Sequence, residues 1–286
     1  GLEFADVYSA LGSEVTIVEM LPGIAGLTDA DAAKELRKAL EKRGMRILTS
    51  TKVVGQKPGK KGTEVTVKGP DDKEEVIVAD RVLVAVGRRP NGAGLGLENA
   101  GGEVDERGFV RVVNDHMQTT APHVYAIGDV ARAPLLAHKA MKEGIVAAEH
   151  AAGQPSAYDT VVPSVIYTTP ELASVGMTEE EAVKAGFEVR VGRFPLSASG
   201  RAASIGVSSG LIKLVGDAKT DLLLGFHMVG PNAGDIVSEA ALAIEMGATL
   251  EDIALTQHPH PTISEGVMEA AEHAHGKAIH IANRRR

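Results

Sequence analysis

The 286-residue sequence contains no cysteine and no tryptophan, and aromatic residues make up only 3% of it. The absence of cysteine excludes disulfide bonds, thiolate zinc sites and cysteine nucleophiles within this chain. The scarcity of aromatic side chains argues against a stacking surface for single-stranded nucleic acid. Acidic residues outnumber basic ones by 38 to 30, and the net charge of −8 argues against broad binding to nucleic acid or anionic membranes.

The sequence also lacks an apolar run near the roughly 18 residues that a membrane span requires, and it lacks an N-terminal signal sequence. We therefore expect a cytoplasmic protein without a membrane partner. Because the first residue, Gly1, is not Met, we expect the chain to be a fragment or a processed product. The 44% apolar and 24% charged residues are ordinary for globular proteins, and the length predicts about two domains, with three smaller ones possible.

Residues 1–90 alternate helical and strand patterns, which predicts a parallel sheet whose strands are joined by crossover helices. In the helix expected at Thr28–Arg43, apolar residues recur near the helical period, and Gly44 ends it. The other expected elements are a helix at Leu2–Leu11, strands at Val15–Val18 and Met45–Leu48, a hairpin of Thr63–Lys68 with Glu75–Val78, and a buried strand at Arg81–Val86 that ends at Gly87.

A Pro- and Gly-rich stretch from residue 88 to Gly102, and a change of pattern after residue 160, predict two domain boundaries. After residue 160 strands precede helices, which predicts an α+β domain. The expected elements are a strand at Val124–Ile127, a helix at Ala137–Ala152, strands at Glu188–Phe194, Leu211–Val215 and Leu222–Val229, and helices at Ala233–Met246 and Ile263–His275. The predicted fold class is thus α/β followed by α+β, with domains 1–90, 91–160 and 161–286.

The first residues have the order of the back half of a dinucleotide-binding unit. Gly1 and Leu2 begin a helix, a short strand follows, and Glu19 ends that strand. In such a unit the helix N-terminus stabilises a pyrophosphate, and an acid after the second strand accepts hydrogen bonds from the ribose hydroxyls. Glu rather than Arg at this position favours NAD over NADP. The alternative is an ordinary crossover with a solvated Glu19 at the strand end.

Three segments carry a family resemblance. They are Val84-Ala85-Val86-Gly87-Arg88-Arg89-Pro90-Asn91, Thr119-Thr120-Ala121-Pro122-His123-Val124-Tyr125-Ala126-Ile127-Gly128-Asp129-Val130, and His258-Pro259-His260-Pro261-Thr262-Ile263-Ser264-Glu265. In this order and spacing they resemble the dihydrolipoamide dehydrogenase branch of the flavin-dependent pyridine nucleotide–disulfide oxidoreductases. Shorter matches around His138, Tyr167 and His280 extend the resemblance over essentially the whole chain.

The resemblance implies a partial Rossmann-like NAD domain, a central FAD-contacting segment and a C-terminal dimer-interface domain. It implies oxidation of dihydrolipoamide to lipoamide through a cysteine disulfide and FAD, with reduction of NAD. It also implies a homodimer that serves the lipoyl domain of a 2-oxoacid dehydrogenase complex. The family's N-terminal flavin domain and redox-active cysteine pair are not in this chain, so we expect the fragment alone to be inactive.

His260 is the residue that we expect to carry the chemistry. A dihydrolipoyl thiol is mostly protonated at neutral pH and needs a base to become the reactive thiolate, and histidine suits this task. By resemblance, His260 is that base and Glu265 orients its imidazole, with the histidine reaching the opposite subunit's disulfide. The alternative is structural, because Thr262-Ile263-Ser264-Glu265 matches a capping box. His258 is a weaker candidate, which we expect to act indirectly, through neighbouring residues and without touching the substrate.

The resemblance assigns cofactor contacts to further residues. Asp129 matches the acid that accepts a hydrogen bond from the flavin ribityl chain, and the helix start formed by Leu135, Leu136, Ala137 and His138 matches one that points at the flavin pyrimidine. Gly87 would let NAD pass close to the backbone, Val53 matches a position beside the adenine, and Glu3 approaches the nicotinamide. The structural alternatives are a capping Asp129, a buried helix start, a turn at Gly87, a core Val53 and a first-turn acid at Glu3.

Two rival functions remain open from the sequence. The chain could be a dimerising, nucleotide-contacting module without turnover, or it could belong to another disulfide reductase of the same family. Glutathione reductase relatives carry cations after the second strand, where this chain has Glu19-Met20-Leu21-Pro22, and mercuric reductase relatives end in a cysteine pair, which is absent here. No metal site is expected, because His273 and His275 are two residues apart on a helix and do not share a face.

Overall fold

The computed structural model describes residues 1–26 and 28–283, which form two compact units. The first unit combines residues 1–84 with residues 163–283, and the second consists of residues 85–162. The chain crosses between the units close to the predicted boundaries after residues 90 and 160. The functional division into three domains stays a prediction.

The N-terminal part of the first unit contains a parallel strand pair and a separate antiparallel sheet. Strands β1 and β2 pair in parallel and helix α2 crosses between them, while β3, β4 and β5 form the antiparallel sheet. The elements are α1 (Leu2–Ala10), β1 (Thr16–Val18), α2 (Ala30–Lys42), β2 (Arg46–Leu48), β3 (Lys52–Gly59), β4 (Gly62–Lys68) and β5 (Glu74–Ala79). The predicted helices, short strands and hairpin are confirmed, whereas β3 was not predicted because Gly55 and Pro58 interrupt its pattern.

The buried strand predicted at Arg81–Val86 is wrong. These residues form no strand, and Val84 and Val86 are 74% and 93% exposed. An apolar run becomes a strand only where neighbouring strands pair with its backbone, and no described residue does so here. The sequence pattern identified the apolar residues correctly, but it could not show whether another strand pairs with them.

The second unit has little regular structure. It contains α3 (Ala137–Ala151), as predicted, and short 3₁₀ helices at Leu97–Ala100 and Gly128–Val130. The strand predicted at Val124–Ile127 is wrong, because only Tyr125 pairs, in a single bridge with Gln118. A small core of Val110, Ala126 and Ala131 lies within this unit.

The C-terminal part of the first unit is built on a five-stranded antiparallel sheet with the order β6-β7-β10-β9-β8. The elements are β6 (Ser164–Ile166), β7 (Glu171–Gly176), α4 (Glu179–Lys184), β8 (Val189–Pro195), α5 (Gly200–Ser204), β9 (Leu211–Asp217), β10 (Leu223–Gly230), α6 (Ala233–Glu245), α7 (Leu250–Leu255) and α8 (Glu265–Ala274). The predicted fold class, α/β followed by α+β, is confirmed. None of the helices in the described ranges is long and apolar enough to cross a membrane.

One hydrophobic core joins the two parts of the first unit. The apolar face of α2, with Leu36 and Leu40 fully buried, packs in one cluster with Leu172 of β7 and Val229 of β10. The buried α2 residues Ala32, Leu36, Ala39 and Leu40 are those that the helical period predicted. The N-terminal part of the first unit, which contains α2, and the C-terminal five-stranded sheet therefore share one hydrophobic core.

Candidate functional site

His260 and Glu265 form a hydrogen-bonded pair at the start of α8. Nδ1 of His260 lies 2.8 Å from Oε1 of Glu265, and the imidazole is 77% exposed. The carboxylate accepts the Nδ1 proton, so the geometry favours the tautomer with an unprotonated Nε2. An exposed Nε2 backed by a carboxylate is the arrangement of a general base, as in a catalytic triad.

The second oxygen of the same carboxylate forms the capping contact that the sequence offered as an alternative. Oε2 of Glu265 accepts the Thr262 amide at 2.7 Å, and the Glu265 amide donates to Oγ1 of Thr262 at 3.3 Å. Desolvation acts to raise the pKa of Glu265, but the hydrogen bonds from Thr262 and His260 outweigh it and leave that pKa below its usual value. Glu265 therefore stays ionised in the neutral range and makes both contacts at once.

Close packing fixes the position of α8 on the sheet. A Cβ at Gly192 of β8 would lie 1.8 Å from the Ala270 carbonyl oxygen, so only glycine permits this approach. A Cβ at Gly266, next to Glu265, would lie within 3 Å of Ile212 and Phe194. The helix that carries Glu265 is thus seated with little freedom to shift.

His258 supports the site from a buried position. Its side chain is 4% exposed, Nδ1 lies 2.9 Å from the Thr256 carbonyl oxygen, and Nε2 lies 2.8 Å from a carboxylate oxygen of Glu239 on α6. The hydrogen bond to Glu239 raises the pKa of His258. With acceptors at both ring nitrogens, His258 suits an imidazolium that anchors the loop and has no nitrogen left for substrate.

The structure places Gly1, Leu2 and Glu3 at the N-terminus of α1. Gly1 is the N-cap, no side chain caps this helix, and Glu3 lies in the first turn. The carboxylate of Glu3 accepts the Tyr167 amide at 2.9 Å, which joins α1 to the segment after β6. Glu3 therefore has a contact within the protein, and its approach to the nicotinamide stays a prediction.

Glu19 and Val53 lie near the same edge of the parallel strand pair. The Thr51 amide donates to the Glu19 carbonyl oxygen at 3.0 Å, which brings the start of β3 beside the end of β1. Oε1 of Glu19 accepts the Leu21 amide at 2.8 Å, and Oε2 accepts no hydrogen bond from any described residue. Val53 is 57% exposed, so its interpretation as a simple core residue is wrong.

In the second unit, Gly87 lies on an exposed irregular segment, and Asp129 lies in the short 3₁₀ helix Gly128–Val130. Asp129 is 40% exposed and pairs with Arg88, with 3.3 Å between Oδ2 and the guanidinium. Gly87 has φ +120°, a conformation that side-chain-bearing residues rarely adopt, and the space around its Cβ position is open. The exposed Asp129 carboxylate is thus available to exchange Arg88 for another hydrogen-bond partner.

A buried ion cluster holds the turn at Gly128 against α3. Glu143 of α3 accepts the Gly128 amide at 2.7 Å and binds Lys139 at 2.8 Å and Arg132 at 3.0 Å. Desolvation acts to raise the pKa of Glu143, but these hydrogen bonds outweigh it and lower the pKa. Asp129 follows Gly128 in the same turn, so the ion cluster fixes the backbone position from which the Asp129 side chain extends.

The predicted flavin-facing helix start lies at the beginning of α3. Leu136 is the N-cap and provides no side-chain hydrogen bond, and Ala137 and His138 are exposed. Leu135 is half-buried, so the interpretation of a plainly buried helix start is wrong for this segment. An uncapped helix N-terminus presents amide N–H groups to an acceptor.

Sequence reasoning missed the ion pairs that organise these sites. The Lys139–Glu143 pair has the i, i+4 spacing of a helical pair and was visible within the predicted helix Ala137–Ala152. Nothing local signals the Glu239–His258 pair, which joins residues from two elements. Within the described ranges, no group of three or more His, Asp and Glu side chains is placed to hold a metal ion.

Comparison with known proteins gives a consistent result. Residues 1–144 match the model of the pyridine nucleotide-disulphide oxidoreductase family, and residues 162–271 match the model of its dimerisation domain. The chain is 60% identical over 285 residues to a dihydrolipoyl dehydrogenase of Thermus scotoductus and 46% identical over 286 residues to one of Haloferax volcanii. These alignments cover 99% of the chain but 62% and 60% of the two relatives.

Solved structures show the same fold. LpdA from Mycobacterium tuberculosis superimposes with a TM-score of 0.84 at 28% identity, covering 95% of this chain and 58% of that one. The HOCl-induced flavoprotein disulfide reductase RclA from Escherichia coli also gives a TM-score of 0.84, at 27% identity, covering 95% of this chain and 62% of that one. The chain therefore spans about three fifths of these relatives, and it belongs to the pyridine nucleotide-disulphide oxidoreductase family.

Proposed function

We propose that this chain belongs to a dihydrolipoyl dehydrogenase, which converts dihydrolipoamide and NAD⁺ into lipoamide, NADH and a proton. The observation that carries this proposal is the exposed His260 imidazole, held through Nδ1 by the ionised Glu265. The 60% and 46% identical relatives that bear this name support it. A non-catalytic module would have no need of a base held in one tautomer at the surface.

His260 prepares the dithiol substrate for exchange with a disulfide. The unprotonated Nε2 accepts the proton of a dihydrolipoyl thiol, and the resulting thiolate attacks one sulfur of a disulfide. The S–S bond of that disulfide breaks, its other sulfur leaves as a thiolate, and a mixed disulfide with the substrate forms. Glu265 keeps the ring oriented through its hydrogen bond to Nδ1, in the manner of the acid in a catalytic triad. The proton then passes to solvent, to which the ring is exposed. The 286 residues contain no cysteine, so by resemblance the disulfide belongs to the flavin domain of the opposite subunit.

Residues of both units fit the cofactors of the family. FAD, when bound, carries the electron pair from the dithiol to NAD⁺. Gly1, Leu2 and Glu3 at the uncapped α1 N-terminus, with Glu19 and Val53, would hold NAD. Asp129 and the start of α3 formed by Leu135, Leu136, Ala137 and His138 would hold FAD. The NAD contact of Gly87 is carried by the resemblance alone. The fit rests on the uncapped helix starts and on two carboxylates. Glu19 keeps one carboxylate oxygen for a ligand, and the Asp129 side chain keeps exposed surface for one.

The proposal includes a homodimer formed through the C-terminal part of the first unit. The dimerisation-domain match over residues 162–271 supports it. Three large apolar side chains in this part, Leu242, Met246 and Leu255, are 65%, 75% and 76% exposed. Apolar groups this exposed gain stability when a partner covers them. Binding to the lipoyl domain of a 2-oxoacid dehydrogenase complex and a cytoplasmic location stay predictions.

The test is the His260→Gln variant of the full-length protein that carries this chain. Flavin reduction is followed by stopped flow, with dihydrolipoamide and NADH as separate donors. We expect the dithiol reaction to slow by about 10²–10⁴, the usual contribution of a general base, and the NADH reaction to be unchanged. His123→Gln is the matched control, because His123 is an exposed histidine of the other unit.

The two donors separate catalysis from structure. The dithiol deficit should shrink as pH rises, because alkaline solution supplies thiolate without a base. Equal losses with both donors would make His260 structural and leave the capping turn as the role of Glu265. That outcome would favour the non-catalytic, dimerising module.

A further inference from the structure

A buried lysine in the five-stranded sheet takes no part in the proposed chemistry. Lys213 on β9 lies opposite Arg193 on β8 and His227 on β10, so the three side chains form one row on the same face of the sheet. The Lys213 side chain is only 2% exposed. Burying a charge this deeply costs free energy unless the charge is paired and hydrogen-bonded. The partners of the Lys213 ammonium therefore indicate which segments the lysine holds in place.

Three carboxylates surround the Lys213 ammonium. Nζ lies 2.9 and 2.8 Å from the two carboxylate oxygens of Asp29, 2.8 Å from Asp31 and 2.7 Å from Glu179. Desolvation acts to lower the pKa of Lys213, but the hydrogen bonds to the carboxylates outweigh it and raise the pKa. The ammonium therefore stays charged at neutral pH, and the contacts are ionic.

The bond between Lys213 and Asp29 joins segments that are 184 residues apart in the chain. Asp29 is the N-cap of α2, and its Oδ1 also accepts the Asp31 amide at 3.0 Å. Asp29 is 2% exposed, so this carboxylate has no solvent to replace a lost partner. One buried carboxylate thus closes the first turn of α2 and attaches that turn to the sheet.

The segment that Asp29 ends begins at Glu19, the proposed ribose ligand. At the near end, the Glu19 amide donates to the Leu48 carbonyl oxygen at 2.8 Å and its carbonyl accepts the Thr51 amide. In between, Ile24 is buried in the core, while Met20 is 60% exposed. At the far end, Asp29 binds Lys213 of the sheet, and Asp31 in the first turn of α2 binds both Lys213 and Arg193. These ionic contacts, with Lys213 at their centre, fix the position of the start of α2 on the sheet.

A buried ion pair contributes little net stability compared with an apolar pair of the same size, so its value lies in the geometry that it selects. We propose that Lys213 is a positioning residue for the dinucleotide: by holding Asp29, it fixes the position of the α2 start, to which the chain leads from Glu19. The inference rests on the proposed NAD site. It assigns a role in nucleotide binding to a lysine of the sheet that matches the dimerisation domain.

The test measures NAD binding without turnover, by calorimetric titration of the oxidised full-length protein. In Lys213→Met we expect the Kd for NAD to rise about ten-fold, which corresponds to about 1.4 kcal/mol. Flavin reduction by dihydrolipoamide should stay within about two-fold of the unmodified protein, since that step uses His260. Lys184→Met is the matched control, because Lys184 is 72% exposed and pairs only along its own helix with Glu180.

A second variant covers the case in which Lys213→Met does not fold. Asp29→Ser keeps a side-chain oxygen to cap α2, because serine is a strong N-cap residue. It removes the bonds to the Lys213 ammonium and the long contact of 3.4 Å with the Glu179 amide. Lys213 then keeps Asp31 and Glu179 as partners. We expect the same rise in Kd for NAD as in Lys213→Met.

The outcomes separate this inference from the function on which it rests. Unchanged NAD affinity in Asp29→Ser, with normal binding by the unmodified protein, overturns the role of Lys213 alone. A lower melting temperature with unchanged Kd also overturns it, because a purely structural pair would give that result. If the unmodified protein binds no NAD, the proposed function fails as well.

Discussion

The site of His260 and the segments that would hold the cofactors are built in opposite ways. Glu265, which holds His260, begins a helix that packs against a five-stranded sheet so closely that Gly192 and Gly266 leave no space for a side chain. The segment around Gly87 is irregular and exposed, and Asp129, in a short 3₁₀ helix, has a side chain that is 40% exposed. The proposed proton-transfer group is therefore positioned by its own unit, whereas the proposed cofactor segments keep polar surface for a ligand.

The two compact units also differ in what stabilises them. The first unit has an extended apolar core that includes Leu36, Leu172 and Val229. The second has a small core and a buried cluster in which Glu143 binds Lys139 and Arg132. We therefore expect steric changes to damage the first unit most and charge changes to damage the second.

The largest effect is expected from Gly192→Ala. The added Cβ would lie 1.8 Å from the Ala270 carbonyl oxygen, so α8 and β8 must separate and the His260–Glu265 site must move with them. Overpacking usually costs about 1–3 kcal/mol, and we expect this contact with backbone to exceed that range. Urea unfolding of the variant measures the loss.

Gly200→Ala is the control for that variant. Gly200 begins α5 and has open space around its Cβ position, so alanine should leave stability unchanged or increase it slightly. Similar unfolding curves for the two variants would show that the packing of α8 against the sheet can adjust to the added methyl group.

A selective effect on the second unit is expected from Glu143→Gln. The amide oxygen can still accept the Gly128 N–H, but Lys139, which is 2% exposed, loses its charged partner. Breaking a buried ion pair costs about 3–5 kcal/mol. Hydrogen exchange followed by mass spectrometry should show faster exchange in α3 than in α8. Equal protection of α3 in both proteins would mean that the small apolar core is enough.

The sign of the pH dependence follows from the lowered pKa of Glu143. Its carboxylate contributes stability above the pKa of an unfolded carboxyl, and this contribution is lost as the pH falls through the lower folded pKa. The second unit of the unmodified protein should therefore lose protection in acid, and Glu143→Gln should remove that part of the acid sensitivity.

The sequence predicted the elements that local patterns determine. The four buried residues of α2 follow its helical period, and the hairpin of β4 and β5 follows its turn residues. It failed at Arg81–Val86 and Val124–Ile127, because an apolar run is a strand only if other segments pair with it. Glu143 escaped notice because a charged helical residue usually faces solvent.

The candidate site was predictable for a similar reason. His260 and Glu265 are five residues apart, so one motif contains both partners, and Glu265 makes both expected contacts because a carboxylate has two oxygens. The Asp29–Lys213 bond spans 184 residues, and no local pattern relates its ends. Contacts of that kind become visible only when the fold brings distant segments together.

The smallest effect is expected from Glu265→Gln, which tests whether the charge or only the shape of this side chain supports His260. The amide oxygen can still accept Nδ1–H and keep the tautomer, while the amide nitrogen cannot accept the Thr262 N–H. We expect the dithiol reaction to slow on the order of ten-fold, well below the loss of 10²–10⁴ for a missing base. The pKa of Glu265 lies below its usual value, so the unmodified carboxylate is charged throughout the neutral range and the comparison at pH 7 measures that charge. Stopped-flow flavin reduction by dihydrolipoamide and by NADH gives the result. A loss of dithiol reaction rate as large as that of His260→Gln would show that the position of His260 depends on the Glu265 charge. An equal loss of rate with NADH would show that the substitution has disturbed the turn itself.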